Sequence, residues 1–142
     1  MAKLKVRDLM TEKVLSIRAD EDLARLNDLM ADINVRHVPV VDGEENIIGV
    51  VSQRDLLRSA LDEEGVLPAS QQREMLQSVK VAEIMVTNPE TAEPEQDITE
   101  AGQTMLDNKL GCLPVVEDTH LVGILTEADF VKYVVDHAEE TS

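Results

Sequence analysis

GVVSQRD, residues 49–55, and GILTEAD, residues 123–129, follow one pattern: glycine, two branched aliphatics, a hydroxyl residue, two free positions and aspartate. Ser/Thr-x-x-Asp is the form of a helix capping box, and the glycine with its aliphatics has the character of a strand end. Each heptapeptide therefore reads as a strand running into a helix. A chain of 142 residues that contains this passage twice, 74 residues apart, calls for a search for internal repetition.

The repetition extends well upstream. At an offset of 75, Val6, Met10, Asp22, Met30, Asp32, Pro39, Val40 and Val41 fall on the identical residues Val81, Met85, Asp97, Met105, Asp107, Pro114, Val115 and Val116. One residue is then lost where Asp42-Gly43-Glu44-Glu45-Asn46 faces Glu117-Asp118-Thr119-His120, as suits a hairpin loop. Each half opens with a short turn (Val6 to Met10, Val81 to Met85) and a strand near Val14 to Ile17 or near Glu90. Asp20 or Glu95 is expected to open a helix. Leu23, Leu26, Met30 and Ile33 in the first half, and Ile98, Ala101 and Met105 in the second, recur at helical spacing.

The runs Val38 to Val41 and Ile47 to Val51, split by Asp42-Gly43, read as a hairpin repeated at Leu113 to Val116 and Leu121 to Leu125. Pro39 lacks an amide proton and belongs at a strand start or an edge. Leu56, Leu57, Ala60 and Leu61, and Phe130, Val131, Val134 and Val135, mark the last helix of each half. The fold class is α+β: two βαββα repeats with small mixed sheets flanked by helices. Residues 1–61 form the first repeat, 62–80 a linker and 81–142 the second. Within the linker Asp62-Glu63-Glu64-Gly65 reads as a solvated loop and Pro68 to Val79 as a helix serving as a tether.

Composition excludes several functions. The net charge of −16, from 29 acidic and 13 basic residues, opposes nucleic acid and anionic membranes, and one Tyr and one Phe are too few for base stacking. No apolar run approaches the roughly 18 residues of a membrane span, and no signal segment is expected. A lone cysteine, Cys112, forms no internal disulfide. A cytoplasmic setting is expected. His37, His120, His137 and Cys112 lack the spacing of a zinc site, and no phosphate loop or nucleophile elbow is present, so neither a metal nor catalysis is expected. Cys112 reads as a small buried thiol and the six methionines as core filler.

Taken together, the Val-x-x-apolar-Met openings, the segments Arg36-His37-Val38-Pro39 and Gly111-Cys112-Leu113-Pro114, and the two heptapeptides resemble the cystathionine-β-synthase (CBS) domains, whose paired repeats form a Bateman module. The resemblance covers nearly the whole chain. It implies two halves about a pseudo-twofold axis, with clefts that bind adenosine-containing ligands such as AMP, ADP, ATP, S-adenosylmethionine or NAD. It further implies a regulatory role toward an unidentified partner protein, no required cofactor, and a homodimer. The aspartates, Asp55 and Asp129, would accept from ribose hydroxyls, while Ser52 and Thr126 contact phosphate or sugar. Arg36, His37 and Pro39, with Cys112 and Pro114 in the second half, complete the candidate site together with Arg54. The resemblance also implies a crossed arrangement in which Arg36 and His37 serve the cleft of Asp129.

Two readings of the heptapeptides remain. A capping box explains Ser/Thr-x-x-Asp without any ligand, and the alternative function is a structural or dimerisation module. A helix start also offers free amides and a positive dipole end to an anionic group, so the two roles are compatible. The halves are unequally furnished, since Arg36, His37 and Arg54 face Gly111, Cys112 and Ala128 at equivalent positions. With −16 overall, the chain favours ligands of low negative charge, AMP or an S-adenosyl compound, over ATP.

Overall fold

The computed structural model describes residues 3–12, 15–33, 35–60 and 69–138. Its contacts divide the chain into two compact units, one of residues 15–88 and one built from 1–14 together with 89–142. Both are mixed α/β, small sheets flanked by helices.

In the unit of 15–88 the elements are β1 (Ile17–Arg18), α2 (Leu23–Ile33), β2 (His37–Val41), β3 (Ile47–Ser52), α3 (Gln53–Ala60), α4 (Ala69–Gln77), a 3-10 turn (Val81–Glu83) and β4 (Val86–Thr87), numbered after α1 (Val6–Leu9) of the other unit. The sheet runs β1-β2-β3-β4, with β1 parallel to β2 and the other pairs antiparallel. Asp42 caps its own hairpin turn by accepting from the Glu44 and Asn46 amides at 2.8 and 3.0 Å, and the Asn46 and Glu44 hydrogen bonds hold its carboxyl below the usual range.

The other unit holds α1, α5 (Ile98–Asn108), β5 (Cys112–Glu117), β6 (His120–Thr126) and α6 (Glu127–His137). Its ladder is the same sheet in reduced form. β5 and β6 pair antiparallel, Ala92 bridges Val115 in parallel and Thr11 bridges Ile124 antiparallel. The strand expected near Glu90 is thus a single bridge at Ala92.

The repeats exchange their leading segments. Val6, from the first repeat, is fully buried in a core with Ala101, Met105, Leu113 and Leu125. Its counterpart Val81 is buried with Leu23, Leu26, Val38 and Val51. The backbone repeats the exchange: the Val6 amide donates to Gln96 O at 2.9 Å, and the Val81 amide to Glu21 O at 2.8 Å.

Two sequence expectations are corrected. The helix starts lie two residues beyond Asp20 and Glu95: Asp22 accepts from the Arg25 amide at 2.9 Å, and Asp97 from the Thr99 amide at 2.8 Å. Asp20 occupies the preceding turn, and Glu95 binds Lys5 and Arg7 instead. Pro39 sits inside β2, an interior strand, where a missing donor should be costly. It is tolerated because β1 meets β2 only from Val40 onward. The same device appears at Pro114, whose carbonyl accepts from the Ala92 amide while the next ladder donor is Val116. The helix expected in the linker is α4, and it is packed: Leu76 is buried in the core with Leu23 and Leu26, and Arg73 forks onto both carboxylate oxygens of Asp28 at 3.1 Å. Leu61, the loop 62–65 and Pro68 lie outside the described residues.

Candidate functional site

Both heptapeptides fold as strand end and helix start. In the Asp55 half, the Ser52 amide donates to Asp55 Oδ2 and the Asp55 amide to Ser52 Oγ, each at 3.1 Å. In the Asp129 half, the Thr126 amide reaches Asp129 Oδ2 at 2.8 Å and the Asp129 amide reaches Thr126 Oγ1 at 3.3 Å. The capping box is present twice, and a box of this kind stabilises a helix by about 1 kcal/mol. In each half it draws on Oδ2 of the aspartate. A carboxylate has a second oxygen and about four acceptor positions, so capping leaves acceptor capacity at the head of α3 and of α6.

The strand register brings the residues before each proline to these helix starts. His37 lies opposite Ser52, and the Gln53 amide donates to Arg36 O at 2.7 Å. Cys112 lies opposite Thr126, and the Glu127 amide donates to Gly111 O at 3.1 Å. Arg36 and Arg54 are exposed and His37 is half-buried, so the Asp55 half carries two exposed guanidinium groups near the start of α3. The equivalent positions of the Asp129 half hold Gly111, Ala128 and the buried Cys112, whose thiol is pushed up to about 12 by burial. That thiol stays protonated and unreactive. Pro39 and Pro114 are buried within their strands, opposite Val50 and Ile124.

The glycines that lead the heptapeptides are explained by neighbouring chain. A Cβ on Gly49 would stand 2.8 Å from Met85 Sδ and 2.9 Å from Val86 O. On Gly123 it would stand 2.9 Å from Met10 Sδ and 3.0 Å from Thr11 O. The exchanged segments thus run alongside the strands in close contact at the glycines, and the repeated Met10 and Met85 are their partners.

One neighbour of the site was not foreseen. Thr11 Oγ1 donates to Asp129 Oδ1 at 3.2 Å, across 118 residues of sequence. Its counterpart at the offset of 75 is Val86, which has no hydroxyl. The available signal was the repeated methionine immediately before it. In the same unit an open, mainly apolar groove of about 760 Å³ is lined by Ile98, Gly102, Met105, Leu106 and Phe130, with Lys109 and Glu127 beside them.

The CBS domain profile matches residues 6–62 and again 81–136. The chain belongs to the CBS domain family. A crystal structure of a Vibrio cholerae protein named for acetoin utilization (AcuB) superposes with a TM-score of 0.81 at 32% identity, covering 99% of this chain and 98% of that one. The structure of CBSX2 in complex with AMP superposes with a TM-score of 0.77 at 27% identity, covering 94% and 98%. An uncharacterized protein of Methanocaldococcus jannaschii is 28% identical over 89% of this chain, which spans 41% of that relative's length. Among the described residues no helix is long and apolar enough to cross a membrane.

Proposed function

We propose that this CBS pair is a regulatory module of the Bateman type, binding an adenosine-containing ligand at the helix starts headed by Asp55 and Asp129 and passing its occupancy to a partner protein. The observation that carries the reading is the doubled strand-to-helix junction, in which each cap uses Oδ2 of an aspartate and leaves acceptor capacity on the other oxygen. The AMP complex of the 27% identical CBSX2 supports an adenine nucleotide as the ligand. Arg36, His37 and Arg54 furnish the phosphate side, and the net charge of −16 favours AMP or an S-adenosyl compound over ATP. The module itself carries out no catalysis.

Coupling of Arg36→Ala to Asp129→Asn in a double-mutant cycle would mark the crossed arrangement implied by the family, and coupling to Asp55→Asn the neighbourhood of the strand register. A purely structural pair is the competing reading, favoured by caps that are complete on their own. Thermal unfolding separates the two. Millimolar AMP, S-adenosylmethionine, NAD or ATP at about 100 times its dissociation constant adds roughly 2.7 kcal/mol, a rise of several degrees in Tm. A Tm indifferent to all four contradicts ligand binding.

A further inference from the structure

The segment of residues 3–12 is held to its unit differently from its counterpart at 78–87. Both make the same backbone contacts: the Arg7 amide donates to Pro94 O at 3.0 Å, and the Ala82 amide to Ala19 O at 3.0 Å. The first segment adds an ionic latch. Glu95 uses both of its oxygens, Oε2 toward Lys5 Nζ at 2.7 Å and Oε1 toward Arg7 Nη1 at 2.6 Å. At the equivalent positions Lys80 is kept, while Ala82 stands for Arg7 and Asp20 for Glu95. The first segment also ends on the candidate site. Thr11 exchanges two backbone hydrogen bonds with Ile124, at 2.9 and 3.0 Å, and from that position its hydroxyl reaches Asp129 Oδ1. Val86 reproduces the backbone position without the hydroxyl.

Asp129 is therefore gripped from two sides. Its own helix turn takes Oδ2 through Thr126, and the latched segment takes Oδ1 through Thr11. Any hydroxyl that a ligand presents to Oδ1 meets an acceptor already oriented by Thr11, and an oxygen with two lone pairs can accept from both donors. Orientation of the acceptor before binding favours binding, and linkage makes the effect mutual.

We propose that residues 3–12 act as an ionic strap whose docking, through the Thr11 hydroxyl on Asp129, is coupled to ligand occupancy of the Asp129 site and not of the Asp55 site. This inference rests on the ligand reading of Asp129. A docked strap strengthens binding, and a bound ligand protects the strap. Salt tunes the strap, because exposed ion pairs are screened once the Debye length falls to about 3 Å at 1 M salt.

Amide hydrogen exchange at Val6, Arg7 and Thr11, with and without millimolar AMP, reads the strap directly. AMP is expected to slow exchange several-fold in the natural protein and to lose that effect in Thr11→Val, a replacement that its counterpart Val86 already accommodates. Glu95→Gln, outside the capping box, is expected to weaken AMP binding about two- to fivefold at low salt, and the difference is expected to close near 1 M. AMP affinity that depends on Asp129 while strap exchange stays unchanged overturns the coupling and leaves the site intact. AMP affinity indifferent to Asp129→Asn removes the site, and the coupling with it.

Discussion

Gly49 and Gly123 stand where a methyl group would meet a methionine sulfur and a backbone carbonyl inside 3.0 Å or at it. The sulfur can move aside, but a carbonyl fixed in a ladder cannot. Gly123→Ala is therefore expected to destabilise the protein by about 1–3 kcal/mol, the usual cost of overpacking, and Gly49→Ala by a similar amount. Urea unfolding checks this, and unchanged midpoints would contradict the close approach. In the sequence these glycines were visible as a repeated lead-in that some object must approach, yet the methionine concerned was 36 residues away in one case and 113 in the other. Periodicity carries no information about such partners. The same distance hid Thr11, whereas the Ser/Thr-x-x-Asp boxes were fully legible because capping is a contact between near neighbours.

At the scale of elements, the hairpins and the helices that follow them were legible because their patterns are local: alternating aliphatics around Asp42-Gly43, and apolar residues at helical spacing. The helix starts were misplaced by two residues for an equally local reason. Asp20, Asp22, Glu95 and Asp97 are all acceptable first-turn residues, and only the folded chain tells that Glu95 is engaged by Lys5 and Arg7. The exchange of leading segments was not legible at all. Two homologous segments, each with its buried valine, fit either sheet equally well by pattern, and the cores containing Val6 and Val81 decide between them. α4 illustrates the limit of helical spacing as a guide: Met75, Leu76 and Val79 showed an apolar face, and the contact of Leu76 shows what it covers.

For the whole molecule, the repetition itself identified the architecture, since two copies in order define a pair more strongly than either copy does. The exposed apolar residues extend the account to assembly. Leu57 is 55% exposed, Val131 62% and Val135 70%, and Leu106, beside the α5–α6 groove, is 74% exposed. A homodimer of twice 15.7 kDa, its interface drawing on such residues, is the mass predicted for light scattering at tens of micromolar. A strictly monomeric mass would contradict it.

The central claim is that Asp55 and Asp129 hold a ligand as well as their helices. Calorimetric titration of AMP into the natural protein, Asp55→Asn and Asp129→Asn tests it most directly. Asparagine keeps a helix cap but removes the charged acceptor, so each replacement is predicted to leave the fold in place and to weaken its own binding event by roughly 1.5 to 3 kcal/mol, about ten- to a hundredfold. Affinity unchanged in both variants would contradict the account and leave the two aspartates as caps alone.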